Sequence, residues 1–182
     1  MLVPAEVLTV ARAEEGSAVL IRPVGSEIAV PIIIGQAEAQ SIMIGLANHT
    51  TARPLTHDLM LSALKSIGAA VSRIEITDLK NNTFYGRLIL KKNGKDVSID
   101  ARPSDCIALA VRVKCPIFID ELVVDEAGVS VNIVENRGEG GKEKQKEQLE
   151  KLQKELDKAV AEENYEEAAK IRDKMQELEK EL

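Results

Sequence analysis

The sequence predicts an α+β fold, in which helices flank a largely antiparallel β-sheet, followed by a C-terminal α-helical hairpin. Up to residue 135, strand-like and helix-like segments come in blocks and do not alternate as βαβ repeats do. Residues 136–141 contain three glycines among charged or polar residues, which is typical of a flexible linker. We therefore expect an α+β domain over residues 1–135, a linker over 136–141 and a helical hairpin over 142–182.

Three strands and two helices are predicted in the first half of the domain. The strands are indicated by segments rich in β-branched residues with acidic or glycine-containing turns between them, at Val3–Val10, Ala18–Pro23 and Ile28–Ile34. Apolar residues at helical spacing then predict helices over Gly35–Ala47 and Thr56–Ile67.

The second half of the domain is predicted to be an antiparallel meander, a helix and a last strand-like piece. The meander consists of three segments, at Ala70–Leu79, Thr83–Lys91 and Asp96–Ala101. Asn81-Asn82 and Asn93-Gly94 between them are typical of tight hairpin turns. Ser104–Val113 has helical spacing, and Pro116–Ile119 starts a strand-like piece that is followed by residues 120–134.

The tail is predicted to form two amphipathic helices. From residue 142 onward the chain has no glycine or proline, and apolar residues recur at steps of three and four. Glu162-Glu163-Asn164 interrupts this pattern, and Asn164 is a good cap for a second helix. One long helix is the competing interpretation. In the hairpin, the residues expected to bind a partner are Tyr165, Ala168, Ala169, Arg172 and Met175.

Composition limits the classes of function. The net charge is −6, and both parts are acidic, with 13 basic and 16 acidic residues up to residue 135 and 11 and 14 after it. Strong non-specific nucleic-acid binding needs a basic surface, so only weak binding through a local patch is expected. No apolar run is long enough for a membrane span, and no signal peptide is evident, so we expect a cytoplasmic protein with no membrane partner. Cys106 lies in an apolar helical run and is expected to be a small buried residue.

Two similar motifs precede predicted helices. Arg53-Pro54-Leu55-Thr56-His57-Asp58 comes before the second helix, and Arg102-Pro103-Ser104-Asp105 before the third. Thr56 and Ser104 are placed to accept hydrogen bonds from free N–H groups, and Asp58 and Asp105 suit the positive end of a helix dipole. One interpretation is structural, with capped helices and arginines paired to acids. The other is that both motifs meet in one cleft that holds a phosphate group.

The functional interpretation assigns roles to a small set of side chains. Candidate catalytic residues are Glu38, His57, Asp58 and Asp105, with His57 as general base or metal ligand. Candidate phosphate-binding residues are Arg53, Thr56, Arg102 and Ser104. A divalent cation, Mg²⁺ or Mn²⁺, is a further expectation, with Asp58, Asp100 and Asp105 as its ligands.

Several segments of residues 1–135, found in the expected order along the chain, resemble the bifunctional nuclease domain family. The resemblance runs through Pro31–Ala39, Arg53–Leu59 and Thr83–Tyr85, and it is strongest over Asp100–Asp105 and the following Ile107–Ala110. In the tail, Asn164–Asp173 resembles the UVR motif shared by the B and C subunits of bacterial excision repair. The first resemblance implies nuclease activity on DNA and RNA and a domain that tends to self-associate. The second implies a helical hairpin that associates with another copy of the motif.

Two hypotheses follow for the function. The first is a metal-assisted nuclease that hydrolyses phosphodiester bonds in DNA or RNA and carries a protein-binding hairpin. The second is a non-catalytic, dimeric interaction or regulatory protein that acts with DNA-repair or stress-response partners. The family resemblance favours the first hypothesis. The acidic charge and the scarcity of aromatic residues for base stacking favour the second. In both, we expect a homo-oligomer whose hairpin binds itself or another UVR-motif protein.

Overall fold

The computed structural model describes residues 1–13, 16–49 and 51–131, together with the helical residues Leu156 and Arg172. The chain separates into two compact units, Met1–Val131 and Asn132–Leu182. The predicted linker and hairpin lie outside the described residues, apart from Leu156 and Arg172. No described helix is long and apolar enough to cross a membrane.

The described domain is built on one mixed, mostly antiparallel sheet. Its strands are β1 (Leu2–Ala13), β2 (Gly16–Pro23), β3 (Ile28–Ile34), β4 (Ala69–Lys80), β5 (Thr83–Lys92), β6 (Lys95–Ala101), β7 (Ile117–Asp120) and β8 (Val129–Ser130). They are ordered β6-β5-β4-β7-β1-β2-β3-β8. Every neighbouring pair is antiparallel except β4 and β7, which run parallel. The short β7 therefore joins a β1–β3 meander to a β4–β6 meander.

Four helices complete the fold: α1 (Gln36–Leu46), α2 (Thr56–Ser66), α3 (Pro103–Val113) and α4 (Glu121–Ala127). Helix α1 packs on α3, and α3 packs on β4 and β5. The core combines strand residues such as Ile74 and Leu88 with Ile42 of α1 and Ile107 of α3, all nearly inaccessible to solvent. This arrangement confirms the predicted α+β class with a largely antiparallel sheet.

The two hairpin turns of the second meander were predicted correctly. Asn81 and Asn82 both have positive φ, and so do Asn93 and Gly94. Two consecutive residues of this kind are typical of a type I′ turn, whose twist matches that of the strands. They fix the register, so that Lys80 lies opposite Thr83 and Lys92 opposite Lys95.

The expected helix caps were wrong, whereas the strand-like piece expected at Pro116–Ile119 was confirmed as β7. Thr56 and Ser104 are not helix caps, because Leu55 and Arg102 hold the extended cap conformation and the predicted capping residues lie inside the first turn. The strand-like piece that begins near Pro116 ends at Asp120, where α4 starts. The Asp120 carboxylate accepts a hydrogen bond from the backbone N–H of Leu122 and so caps that helix.

Helix α2 is the most exposed of the three longer helices. None of its residues is buried. Leu59 is 64% exposed, and Ile67, which follows the helix, is 58% exposed. Leu61 and Leu64 are partly buried and pack against the core. The helix therefore has an inner apolar side on the sheet and an outer apolar side in solvent.

Candidate functional site

The first turns of three helices each carry an acid at the third helical position. These acids are Glu38 in α1, Asp58 in α2 and Asp105 in α3. An acid there is stabilised by the free N–H groups and the positive end of the helix dipole. The helix starts lie around one open cavity of about 640 Å³, and its lining residues are Ala37, Glu38, Gln40, Ser41, Ile44, Pro54, Leu55, Thr56, His57, Arg102 and Asp105.

Arg102 joins two of these acids across the cavity. Its Nε and Nη2 atoms donate to the two carboxylate oxygens of Asp105, at 2.9 and 3.2 Å. Its Nη1 atom donates to Glu38 Oε1 at 3.0 Å. The Arg102 side chain is nevertheless 66% exposed, so its guanidinium is accessible to a ligand in the cavity. These hydrogen bonds, first to Asp105 and then to Glu38, raise the pKa of Arg102.

Gly35 allows the Glu38 carboxylate to fold back over the start of α1. A Cβ atom placed on Gly35 would lie 2.5 Å from Glu38 Oε2, which is too close for two non-bonded atoms. The absence of a side chain at residue 35 therefore leaves the space in which Glu38 meets Arg102.

His57 lies between two helices. Its Nδ1 atom is 2.9 Å from the Ser41 hydroxyl of α1, and its Nε2 atom is 3.8 Å from Asp105 Oδ1 of α3. Only 18% of the His57 side chain is exposed. Burial, assisted by the nearby Arg112 cation, lowers the pKa of His57 despite the opposing effect of Asp105 and Asp58. The neutral imidazole is therefore the favoured form near pH 7.

Asp58 and Arg112 form an ion pair that links the helices next to this site. Arg112 Nε donates to Asp58 Oδ1 at 3.0 Å, and the Leu55 N–H donates to Asp58 Oδ2 at 2.9 Å. Arg112 Nη1 also reaches the carbonyl oxygens of Ser41, at 3.0 Å, and Ala108, at 2.7 Å. The Leu55 N–H, then Arg112, lowers the pKa of Asp58. Arg112 itself is only 8% exposed, so it ties α2, α1 and α3 together from within.

The structure brings some of the predicted site residues together and separates others. Glu38, Thr56, His57, Arg102 and Asp105 line the cavity, and Asp58 lies behind it. Three others are not among the lining residues: Arg53, Asp100 on the exposed strand β6, and the buried Ser104. The predicted hairpin residues lie outside the described part of the chain, except Arg172, which is helical and exposed.

The predicted metal ligands do not form a metal-binding group. Asp58 is held by Arg112 and Leu55, and both oxygens of Asp105 are held by Arg102. Among the described residues, no three or more His, Cys, Asp or Glu side chains are arranged to hold a metal ion. The carboxylates at the cavity are neutralised by arginine, and this arrangement does not fit a resident cation. Metal dependence stays a prediction.

Sequence reasoning missed Ser41 and Arg112. Ser41 follows Glu38 by three residues, so it occupies the same face of α1, and this spacing was a usable signal. Arg112 lies in the last turn of α3, where a basic residue is ordinary, and nothing local indicates its contact with Asp58, 54 residues away.

Comparison with known proteins identifies the family. The model of the bifunctional nuclease domain matches residues 19–132, which is more than half of the chain and includes every residue that lines the cavity. The chain belongs to the bifunctional nuclease domain family. A separate model, of the UvrB/uvrC motif, matches residues 146–181.

Relatives within this family come from bacteria and plants. An uncharacterised protein of Mycobacterium tuberculosis is 38% identical over 112 residues, which are 62% of this chain and 66% of the relative. Bifunctional nuclease 1 of Oryza sativa subsp. indica is 30% identical over 110 residues, 59% of this chain and 33% of that protein. Bifunctional nuclease 1 of Arabidopsis thaliana is 29% identical over 110 residues, 59% of this chain and 34% of that protein. The match therefore spans just under two thirds of the mycobacterial relative and about one third of the plant nucleases.

Proposed function

We propose that this protein hydrolyses phosphodiester bonds of DNA or RNA in the cavity between α1, α2 and α3. The observation that carries the proposal is the convergence of Glu38, His57, Arg102 and Asp105 from three helix starts on one open cavity. Membership of the bifunctional nuclease domain family supports the same reaction class.

Arg102 is the side chain suited to the phosphate. Its guanidinium is exposed, and two donors in a fixed fork match two phosphate oxygens. The positive ends of α2 and α3 favour an anion in the same place. In hydrolysis, a water oxygen bonds to phosphorus as the bond to one ester oxygen breaks, and Arg102 stabilises the charge on the phosphate oxygens.

Proton transfer falls to the groups around Arg102. When a phosphate binds Arg102, the Glu38 and Asp105 carboxylates lose part of their hydrogen bonding and become available to accept a proton from water. His57, on the Asp105 side of the cavity, donates a hydrogen bond to a reacting oxygen. The leaving ester oxygen receives its proton from the carboxylic acid that forms when Glu38 or Asp105 accepts the proton of water. Because binding has to displace the ion pairs of Arg102, we expect the affinity for nucleic acid to be weak.

The test is cleavage of labelled single- and double-stranded DNA and RNA by the purified full chain, with Mg²⁺, Mn²⁺ or EDTA. Arg102→Gln and Glu38→Gln are the test variants. Arg22→Gln is the matched control, because Arg22 also pairs with a glutamate, Glu6, but on β1 and β2 away from the cavity. We expect cleavage to fall at least about 100-fold in Arg102→Gln, within the range for loss of one charge-stabilising donor. Glu38→Gln should also lower cleavage, because it removes one of the two proton acceptors, and the control should keep its activity.

The outcomes separate the two hypotheses. Cleavage that is unchanged in Arg102→Gln would show that the cavity is not the active site. No cleavage of any substrate by the folded protein would favour the non-catalytic interaction protein. Loss of activity in EDTA would show a metal requirement that the described carboxylates do not explain.

We further propose that the tail binds a protein through its hairpin, either another copy of this chain or another UVR-motif protein. The match of residues 146–181 to the UvrB/uvrC motif supports this proposal. Glutamate in place of Ala168 and Ala169 in the full chain is expected to weaken the association, because small residues permit close helix contact. Light scattering gives the mass of each assembly. An unchanged mass, together with unchanged binding to UVR-motif proteins, would contradict the proposal.

A further inference from the structure

The serines of α1 and α2 use their hydroxyl groups differently. Ser62 donates to the carbonyl of Asp58 one turn earlier in α2, and Ser66 donates to the carbonyl of Ala63. This is how a serine inside a helix usually satisfies its hydroxyl. Ser41 Oγ instead lies 2.9 Å from Nδ1 of the His57 ring, on the neighbouring helix. The contact between Ser41 and His57 is therefore tertiary and fixes the ring against α1.

Arg112 favours one direction of that hydrogen bond. Its Nη2 atom lies 3.4 Å from Ser41 Oγ, and a guanidinium can only donate. The Ser41 oxygen thus accepts from Arg112, and its hydrogen is free to point at His57 Nδ1. In this arrangement Nδ1 is the acceptor, and the ring hydrogen of the neutral histidine is on Nε2.

Nε2 is the ring nitrogen that faces Asp105, a residue that lines the cavity. The nearby carboxylate oxygen, Asp105 Oδ1, is 3.8 Å away, which is too far for a good hydrogen bond but favours an N–H at this position over a lone pair. His57 and Asp105 both line the cavity, so a ligand oxygen there can accept from Nε2.

We propose that Ser41 and Arg112 are positioning residues that hold His57 as the neutral Nε2–H tautomer. The catalytic role of this tautomer rests on the proposed function. With its hydrogen on Nε2, His57 presents a donor to the phosphate or leaving oxygen, and its lone pair on Nδ1 is covered by Ser41. His57 does not act as the general base, so the proton of the attacking water goes to a carboxylate, Glu38 or Asp105.

Nitrogen NMR of the full chain labelled with ¹⁵N-histidine reads the tautomer directly. The chain has two histidines, and His49 is exposed, so it provides a reference within the same spectrum. A His49→Gln sample assigns the signals. We expect His57 at neutral pH to show a protonated Nε2 and an unprotonated Nδ1. We also expect its Nε2–H to Nδ1–H ratio to exceed that of His49 by about fivefold, the factor for one hydrogen bond of typical net strength.

Three variants test the two positioning residues. Ser41→Ala and Arg112→Lys should return the His57 ratio toward that of His49, whereas Ser41→Thr keeps the hydroxyl and should preserve it. Ser62→Ala is the matched control, because it removes a helix serine that does not contact His57. A hydrogen on Nδ1 in the wild type, or a ratio equal to that of His49, would overturn the inference, as would a ratio unaffected by Ser41→Ala.

The spectrum keeps this inference separate from the proposed function. The expected tautomer in a protein that cleaves nothing would uphold the positioning role and reject the nuclease. Cleavage by a protein whose His57 carries its hydrogen on Nδ1 would uphold the nuclease and reject the positioning role.

Discussion

Replacement of Arg112 by methionine is predicted to destabilise the domain far more than the same change at Arg22. Arg112 is 8% exposed and donates to Asp58, Ser41 and Ala108 at 3.0 Å or less. Arg22 is 32% exposed and donates to Glu6, which is itself 47% exposed. Methionine keeps most of the apolar stem and removes only the charged head, so the comparison isolates the polar contacts.

The size of the loss depends on how far water can replace the hydrogen bonds that the partners of Arg112 lose. A hydrogen bond to a charged group contributes about 1.5–3 kcal/mol. The two carbonyl acceptors, of Ser41 and Ala108, lie within helices, and Asp58 is 36% exposed, so water replaces part of what is lost. We therefore count about one such bond plus some packing, and expect a loss of about 2–3 kcal/mol in the free energy of unfolding. An exposed pair such as that of Arg22 contributes about 0–1 kcal/mol.

Urea unfolding followed by circular dichroism measures both variants. With an m-value of about 2 kcal/mol per molar urea, the Arg112→Met midpoint should fall by about 1–1.5 M, and the Arg22→Met midpoint by much less. Raising the salt concentration should weaken only the contribution of Arg22. Surface substitutions usually change the free energy of unfolding by less than about 0.5 kcal/mol. If the two variants differ in this free energy by less than that, Arg112 does not hold the three helices together.

Three further predictions follow from the same contacts. Gly35→Ala should displace the Glu38 carboxylate from Arg102 and lower cleavage at least about tenfold. Because residue 35 is a helix cap, the change should cost under about 1 kcal/mol of stability. Activity equal to that of the wild type would contradict this prediction. The pKa of His57 lies below its ordinary 6.5 in the folded state, so the unfolded chain binds more protons on acidification. The contribution of neutral His57 to stability is therefore present above pH 6.5 and is lost as the pH falls below it. Melting temperatures from pH 7.5 to 5.5 should therefore fall more in the wild type than in His57→Gln, and parallel curves would reject the assignment. Burial raises the pKa of Cys106 to about 12, so native protein should leave this thiol unreacted with iodoacetamide at pH 8 while denatured protein reacts, as peptide mass spectrometry would show.

The elements that the sequence predicted well carry strong local signals. Strand β3 was predicted with the bounds that the structure gives, because a compact β-branched segment lies between a turn and a glycine. The β4–β5 and β5–β6 hairpins followed from asparagine and glycine turns that accept positive φ. The family resemblance also came from short sequence segments in a fixed order along the chain, and the match over residues 19–132 confirmed it.

The elements that the sequence missed depend on contacts between distant residues or on very short segments. Helix α4 has seven residues and offers little periodicity. The predicted helix caps failed because the chain enters α2 and α3 through Leu55 and Arg102, which both have extended backbone. Pro103 favours that conformation at Arg102, the residue before it, whereas no proline follows Leu55. Within the cavity, Arg102 reaches Glu38 across 64 residues, and only tertiary structure shows that pairing.

The place of β7 in the sheet has a consequence for synthesis of the chain on the ribosome. Residues 117–120 pair with β1 on one side and with β4 on the other, and Leu2 lies opposite Asp120. Until about 120 residues have emerged, the two meanders have nothing between them, and the outer edge of β1 has no partner from β7. An unpaired edge strand is a site for association with other chains. The nascent protein should therefore be prone to association with other chains until its seventh strand leaves the tunnel, after which this one short segment joins the two meanders.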